Sequence, residues 1–231
     1  MQPAAQPRVE SVESVVEPIV ESVNVGLPRE ILWKGRQVLT SIFKEPVAGR
    51  VALRRLNLEG DQQADLKVHG GPDMAVYIYP AGYYAFWREQ FPEMELPWGM
   101  FGENLTIWGL SDDTIHIGDH LQVGSAQLVV RSPRMPCYKL GMKFGRDDVL
   151  KLLFQNGYSG FYCAVLQEGD VAAGDPVKLL HRDEGAVTVR DIVHLQGEGR
   201  YDADLLRRAV AVEALAQSWR ETFLERLELF S

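Results

Sequence analysis

Between residues 23 and 180 the chain is a succession of short apolar runs, each stopped by Gly, Pro, Asn or Asp. Val51-Ala52-Leu53, Ala75-Val76-Tyr77-Ile78-Tyr79, Leu105-Thr106-Ile107-Trp108, Leu121-Gln122-Val123 and Gln127-Leu128-Val129-Val130 have the length and composition of strands. Gly118-Asp119 lies between Thr114-Ile115-His116-Ile117 and Leu121-Gln122-Val123, and Gly174-Asp175 between Val171 and Val177-Lys178-Leu179-Leu180. Gly-Asp between alternating segments signals a tight turn. Its repetition in an all-β stretch predicts a closed or nearly closed barrel. Two helices are expected to interrupt it, over residues 81–91 and 146–156, the second burying Val149, Leu150, Leu152 and Leu153. The fold class expected is mainly β with helices (α+β).

After about Arg182 the apolar period becomes helical. Thr188-Val189-Arg190-Asp191 resembles a capping box and opens a short helix through Leu195. Asp202 can cap a second helix carrying Leu205, Leu206, Ala209 and Val210. A third is expected over residues 213–229, with Leu215, Trp219, Phe223 and Leu227 on one stripe. The organisation expected is a leader over 1–22, a β-barrel over 23–182 and a small three-helix appendage over 183–231. The appendage is read as structural, or as covering part of a pocket. The leader is read as mostly disordered, because Val-Glu-Ser recurs there among Pro, Ala and Gln. It has neither the basic start nor the apolar run of a signal peptide.

Composition narrows the function classes. Of 231 residues 46% are apolar, enough for a substantial core, and the net charge of −8 argues against a nucleic-acid partner. Two cysteines cannot make a disulfide framework, and no apolar stretch approaches the ~20 residues that span a bilayer. A cytoplasmic protein with no membrane partner is the expectation.

Arg134-Met135-Pro136-Cys137 carries most of the chemistry. Leu128-Val129-Val130 feeds it as a strand, placing Cys137 on a loop where a scaffold presents reactive groups. Arg131, Arg134 and Lys139 flank it, and positive charge favours thiolate, moving a thiol from about 8.5 toward about 3.5–7.5. The plainer alternative is a buried, inert cysteine. That is the reading for Cys163, in the apolar run Phe161-Tyr162-Cys163-Ala164-Val165-Leu166. In Lys67-Val68-His69-Gly70-Gly71-Pro72-Asp73 the paired glycines allow positive φ and an anion-binding nest beside Lys67 and His69. An ordinary Gly-Gly-Pro turn fits equally. In Phe101-Gly102-Glu103-Asn104-Leu105-Thr106, Asn104 either reads a ring edge or, with Glu103, caps the loop. His116 and His120 are separated by a turn signal, which speaks against a helical zinc pair. Gly157-Tyr158-Ser159-Gly160-Phe161 lacks the final glycine of a nucleophile elbow.

The motifs from Lys67 to Asp73, from Phe101 to Thr106 and from Arg134 to Cys137, in this order along the chain, resemble the MOSC domain, named for the C-terminal domain of molybdenum-cofactor sulfurase. Leu58-Glu59-Gly60-Asp61-Gln62, Ile117-Gly118-Asp119 and the three C-terminal helices are similar to its stand-alone, YiiM-like branch. The resemblance implies a MOSC-type β-barrel that holds the molybdenum cofactor (molybdopterin), with Cys137 as thiolate ligand of molybdenum. It implies cofactor contacts from Lys67, Gly70, Gly71, Asn104 and Arg134, and a catalytic role for Cys137 and His69. The activity implied is reduction of N-hydroxylated bases of the 6-hydroxylaminopurine type, with electrons from an external flavoprotein; a homodimer is allowed. The alternative implied is a sulfur or cofactor carrier using Cys137 as a persulfide site, working with a pyridoxal-phosphate-dependent sulfurase.

Overall fold

The computed structural model describes residues 17–64 and 70–230. Twelve strands are found among them. They are β1 (Ile19–Val25), β2 (Arg29–Trp33), β3 (Arg36–Thr40), β4 (Glu45–Pro46), β5 (Val51–Leu53) and β6 (Val76–Pro80). After them come β7 (Leu105–Trp108), β8 (His120–Val123), β9 (Ala126–Pro133), β10 (Phe161–Gln167), β11 (Gly169–Val171) and β12 (Val177–His181). The helices are α1 (Tyr83–Gln90), α2 (Tyr138–Phe144), α3 (Asp148–Asn156), α4 (Val189–His194), α5 (Ala203–Ala211) and α6 (Gln217–Leu227).

Eight strands form one sheet in the order β12-β8-β9-β10-β6-β7-β1-β4, antiparallel except for the β6–β7 pair. The sheet curls until β1 meets the chain just before β12. Val20 N–H donates to Asp175 O at 2.9 Å, Gly174 N–H to Val20 O at 2.8 Å, and Val177 N–H to Pro18 O at 2.8 Å. β5 and β11 form a separate pair, as do β2 and β3. Alternation along β6 explains the layering. Val76 and Ile78 face an aliphatic core inside the curled sheet, while Tyr77 and Tyr79 face an aromatic layer outside it, under α1, α2 and α3. β10 divides likewise: Phe161, Cys163 and Val165 point inward and Tyr162 outward.

Several expectations are corrected. Order begins before residue 23, because Val20-Glu21-Ser22 lies in β1 with Val20 buried, and β1 pairs with β7. Residues 1–16 of the expected leader lie outside the described residues. Thr114-Ile115-His116-Ile117 is not a hairpin strand: Ile117 N–H donates to Val187 O and Gly118 N–H to Val130 O, both at 2.9 Å. The tight hairpin turn comes instead at Gly124-Ser125, between Val123 and Ala126. β11 and β12 flank Gly174-Asp175 but pair with β5 and β8 rather than with each other. In the C-terminal unit the Thr188–Asp191 capping box and the Asp202 cap are present, whereas the last helix starts only at Gln217.

Candidate functional site

β9 ends at Pro133, and the chain leaves the sheet with Arg134 N–H donating to Gly160 O at 3.1 Å. Pro136 has no N–H to offer a neighbouring strand, so the segment turns away and Cys137 takes extended backbone, φ −127° and ψ 158°. α2 begins directly after it, with Leu140 N–H donating to Cys137 O at 2.9 Å. Cys137 is therefore at the foot of a helix the sequence reading missed, and is half-buried rather than fully exposed. Neither cysteine is in a disulfide.

Cys137 lines a cavity with Arg134, Tyr77, Tyr162, Phe101 and Met74. Thr40, Ser41, Ile42, Lys44, Asp61 and Asn104 also line it. The cavity lies in the aromatic layer outside the curled sheet, on the other face from Cys163 in the aliphatic core. Burial pushes the Cys163 thiol far up, so that residue is an inert apolar group.

Arg134 is 5% exposed, with its guanidinium carbon 5.4 Å from the Tyr77 ring centre. Burial opposes its charge, but Tyr77, Cys137 and Tyr162 around it raise its pKa, so it is a permanent cation beside the thiol. Its Nη1 and the Ser41 Oγ are buried and find no hydrogen-bond partner among the described residues. Both belong to cavity-lining side chains, so whatever fills the cavity meets a cation and a hydroxyl already desolvated. Arg131 does not share in this: it is ion-paired at 2.8 Å with Asp73, joining the Gly-Gly-Pro-Asp segment to β9. Lys139 lines the cavity but donates to Leu39 O at 3.2 Å.

Part of the lining is a buried polar network. Asp61 takes hydrogen bonds from Gly26 N–H and from Asn104 Nδ2, both at 2.9 Å, and pairs with Lys44. Burial pushes Lys44 below its ordinary value although Asp61 opposes that shift. Asn104 has little left for a ligand. Its Oδ1 accepts from Tyr77 N–H at 3.0 Å and its Nδ2 serves Asp61 and Asn24 O, so it stitches β6 to β7 at the cavity wall. Glu103, fully buried, accepts from Tyr84 OH, Gly99 N–H, Phe101 N–H and Thr106 Oγ1 and shapes the loop before β7. Lys143 of α2 donates to Ile42 O at 2.9 Å and Gly99 O at 2.6 Å, and burial pushes its pKa down to about 8.

The structure thus brings Cys137, Arg134 and Asn104 together. Gly71 has φ +94°, as a nest requires, but neither it nor Gly70 lines the cavity. Lys67 and His69 lie outside the described residues. The sequence reading missed Ser41, Lys44, Tyr77 and Tyr162, which come from separate strands and loops. Asp61 left a trace in Leu58-Glu59-Gly60-Asp61-Gln62. None of residues 183–230 lines the cavity, so the C-terminal helices do not cover it.

A MOSC domain model matches residues 65–178, and a YiiM-like three-helix domain model matches residues 187–230. YflK of Bacillus subtilis (strain 168) is 40% identical over 90% of this chain and 93% of its own length. YiiM of Escherichia coli (strain K12) is 36% identical over 81% of this chain and 84% of its own. A longer protein of Gibberella moniliformis (strain M3125 / FGSC 7600) named reductase is 35% identical over 64% of this chain, which is 27% of its length. The crystal structure of YiiM from Geobacillus stearothermophilus superposes with a TM-score of 0.77 at 36% identity, covering 91% of this chain and 99% of that one. With both domain models in this order, and relatives this similar over most of either chain, the protein belongs to the MOSC family, in its YiiM-like branch with a C-terminal three-helix domain.

Proposed function

We propose that the protein binds the molybdenum cofactor in the Cys137 cavity and reduces N-hydroxylated compounds there. The observation that carries this reading is the meeting of a half-buried thiol with Arg134, a buried cation whose Nη1 lacks a partner among the described residues. That donor set suits the group. A soft thiolate ligates molybdenum, and a guanidinium pairs with the sulfur- and phosphate-borne negative charge of a pterin cofactor. Family membership and the partial relative named reductase point the same way.

Cys137 Sγ would hold the metal, with Arg134 and Ser41 Oγ holding the rest of the cofactor. Lys67, His69, Gly70 and Gly71 belong to the stretch of sequence between the cavity-lining residues Ala64 and Met74 and are proposed to complete its binding. When bound, the cofactor supplies a two-electron redox centre competent in oxygen-atom transfer. Tyr77, Phe101 and Tyr162 wall the cavity and exclude water from one side of the substrate. The net reaction is R–NHOH plus two electrons and two protons giving R–NH2 and water, with a flavoprotein as electron donor. Its test is molybdenum analysis of protein from a cofactor-competent host, followed by turnover of 6-hydroxylaminopurine with an artificial reductant. Molybdenum-loaded protein that leaves this compound untouched would remove the substrate class. Metal-free protein carrying a persulfide on Cys137 would replace the reading with sulfur carriage.

A further inference from the structure

Asp112 has no place in the cavity, yet the cavity hangs from it. It is fully buried in the turn between β7 and β8. Its Oδ2 accepts three hydrogen bonds from one short stretch ahead of β10: Ser159 N–H at 2.9 Å, Gly160 N–H at 3.0 Å and Ser159 Oγ at 3.1 Å. The backbone carbonyls of that stretch are in turn committed to the site. Ser159 O accepts from Tyr77 OH at 2.7 Å, and Gly160 O accepts from Arg134 N–H at 3.1 Å. The turn cannot be rebuilt by another residue at its centre. Gly160 has φ +62°, and an added Cβ would lie 2.5 Å from Ile78 O.

On its other side Asp112 is held by the C-terminal unit. Its carbonyl accepts from Arg190 N–H at 2.9 Å, and the Arg190 side chain pairs with Asp113 at 3.0 Å and bonds Asn156 O. The Asp112 N–H donates to Tyr83 OH at 2.8 Å, and Tyr83 stacks on Tyr158 at 4.2 Å. A buried carboxylate is expensive to desolvate, and a neutral amide would cost the fold less.

We propose that Asp112 is a positioning residue for the Cys137 cavity, holding Arg134 and Tyr77 through the Ser159–Gly160 turn and tying that turn to the C-terminal helical unit at Arg190. The inference rests on the reading of this cavity as the functional site. Without Asp112 the two N–H groups lose their acceptor, the turn relaxes, and Arg134 shifts relative to Cys137.

The test uses the full-length, metal-free protein, so that it stands apart from any result on molybdenum or turnover. Alkylation of each cysteine by iodoacetamide at pH 7.4 is followed by peptide mass spectrometry in wild type, Asp112→Ala and Asp112→Asn. In Asp112→Ala, Cys137 is expected to react about three- to tenfold more slowly as it loses its ordered cation. Cys163 should stay unreactive, since it reports loosening of the core instead. Asp112→Asn, whose carbonyl oxygen still accepts from the turn, should restore most of the rate. Should Asp112→Ala fail to fold, Ser159→Ala and Tyr77→Phe test the same links singly and should each slow Cys137. An unchanged Cys137 rate in folded variants, or parallel exposure of Cys163, overturns the proposal. Absence of molybdenum from the wild type would sink the proposed function and leave this result standing.

Discussion

Under the proposed function the two cysteines divide the chemistry from the packing. Cys137→Ser exchanges a soft thiolate for a hydroxyl that scarcely ionises. It is expected to abolish molybdenum-centred activity while leaving the melting temperature near that of wild type, because a half-buried side chain contributes little packing. Cys163→Ala should do the reverse. A fully buried thiol leaves a small cavity and about 1 kcal/mol is lost, with activity per bound molybdenum unchanged. The Lys44–Asp61 pair makes a second prediction at this scale, since both side chains are almost wholly withdrawn from water. Asp61→Ala strands a buried ammonium and also strips Asn104 Nδ2 and Gly26 N–H of their acceptor. It should cost about 3–5 kcal/mol in urea unfolding. Removing both charges together, in Lys44→Met/Asp61→Leu, should cost less than Asp61→Ala alone. A larger loss in the double variant would mean the pair attracts by more than its desolvation cost.

At the level of elements, Asp112 couples the turn before β8 to pH. Burial raises its pKa from 3.8 to about 6 against the pull of the Ser159 and Gly160 N–H groups. Between those values the folded chain keeps a proton that the unfolded chain has released. The contribution to stability is therefore full below about pH 3.8, falls as pH rises toward 6, and amounts to about 3 kcal/mol. Asp112→Asn should lack that part of the slope in unfolding curves taken across this range, and an unchanged slope would show that the carboxyl titrates normally. The strands β5, β7, β8 and β9 and the caps at Thr188 and Asp202 were legible because each depends on local alternation or on one side chain reaching its own backbone. α2 was not, since Tyr138-Lys139-Leu140-Gly141-Met142-Lys143-Phe144 is short and carries a mid-helix glycine. What holds α2 is distant: Lys139 and Lys143 donate to carbonyls of residues 39, 42 and 99. Cys137 and Arg134 stand on one segment of sequence, and the fold brings both to one cavity. Ser41, Lys44 and Tyr162 were not, because only the folded sheet brings them to that cavity.

At the scale of the whole molecule, the C-terminal helices share an apolar core with the sheet. Val187, Val189, Ile192, Leu206 and Phe223 share one apolar cluster with Ile115, Ile117, Leu128 and Val130 of the sheet side. Ala216 N–H reaches Arg131 O at 3.1 Å, a backbone bond from the N-cap of α6 to β9. Phe223 is fully buried and packs edge-on to Trp219 at 5.8 Å. Phe223→Ala should therefore remove about 3–5 kcal/mol, and the loss should fall on one cooperative transition of the entire chain. Thermal unfolding followed by far-ultraviolet circular dichroism and by tryptophan fluorescence distinguishes the two outcomes, because Trp87 and Trp98 lie under the aromatic layer while Trp219 lies in α6. Coincident, equally lowered transitions fit a shared core. A separate early transition of the helices, with the aromatic layer melting at its wild-type temperature, would show that the two units fold apart, and the Arg190–Asp112 link would then have no rigid body to pull against.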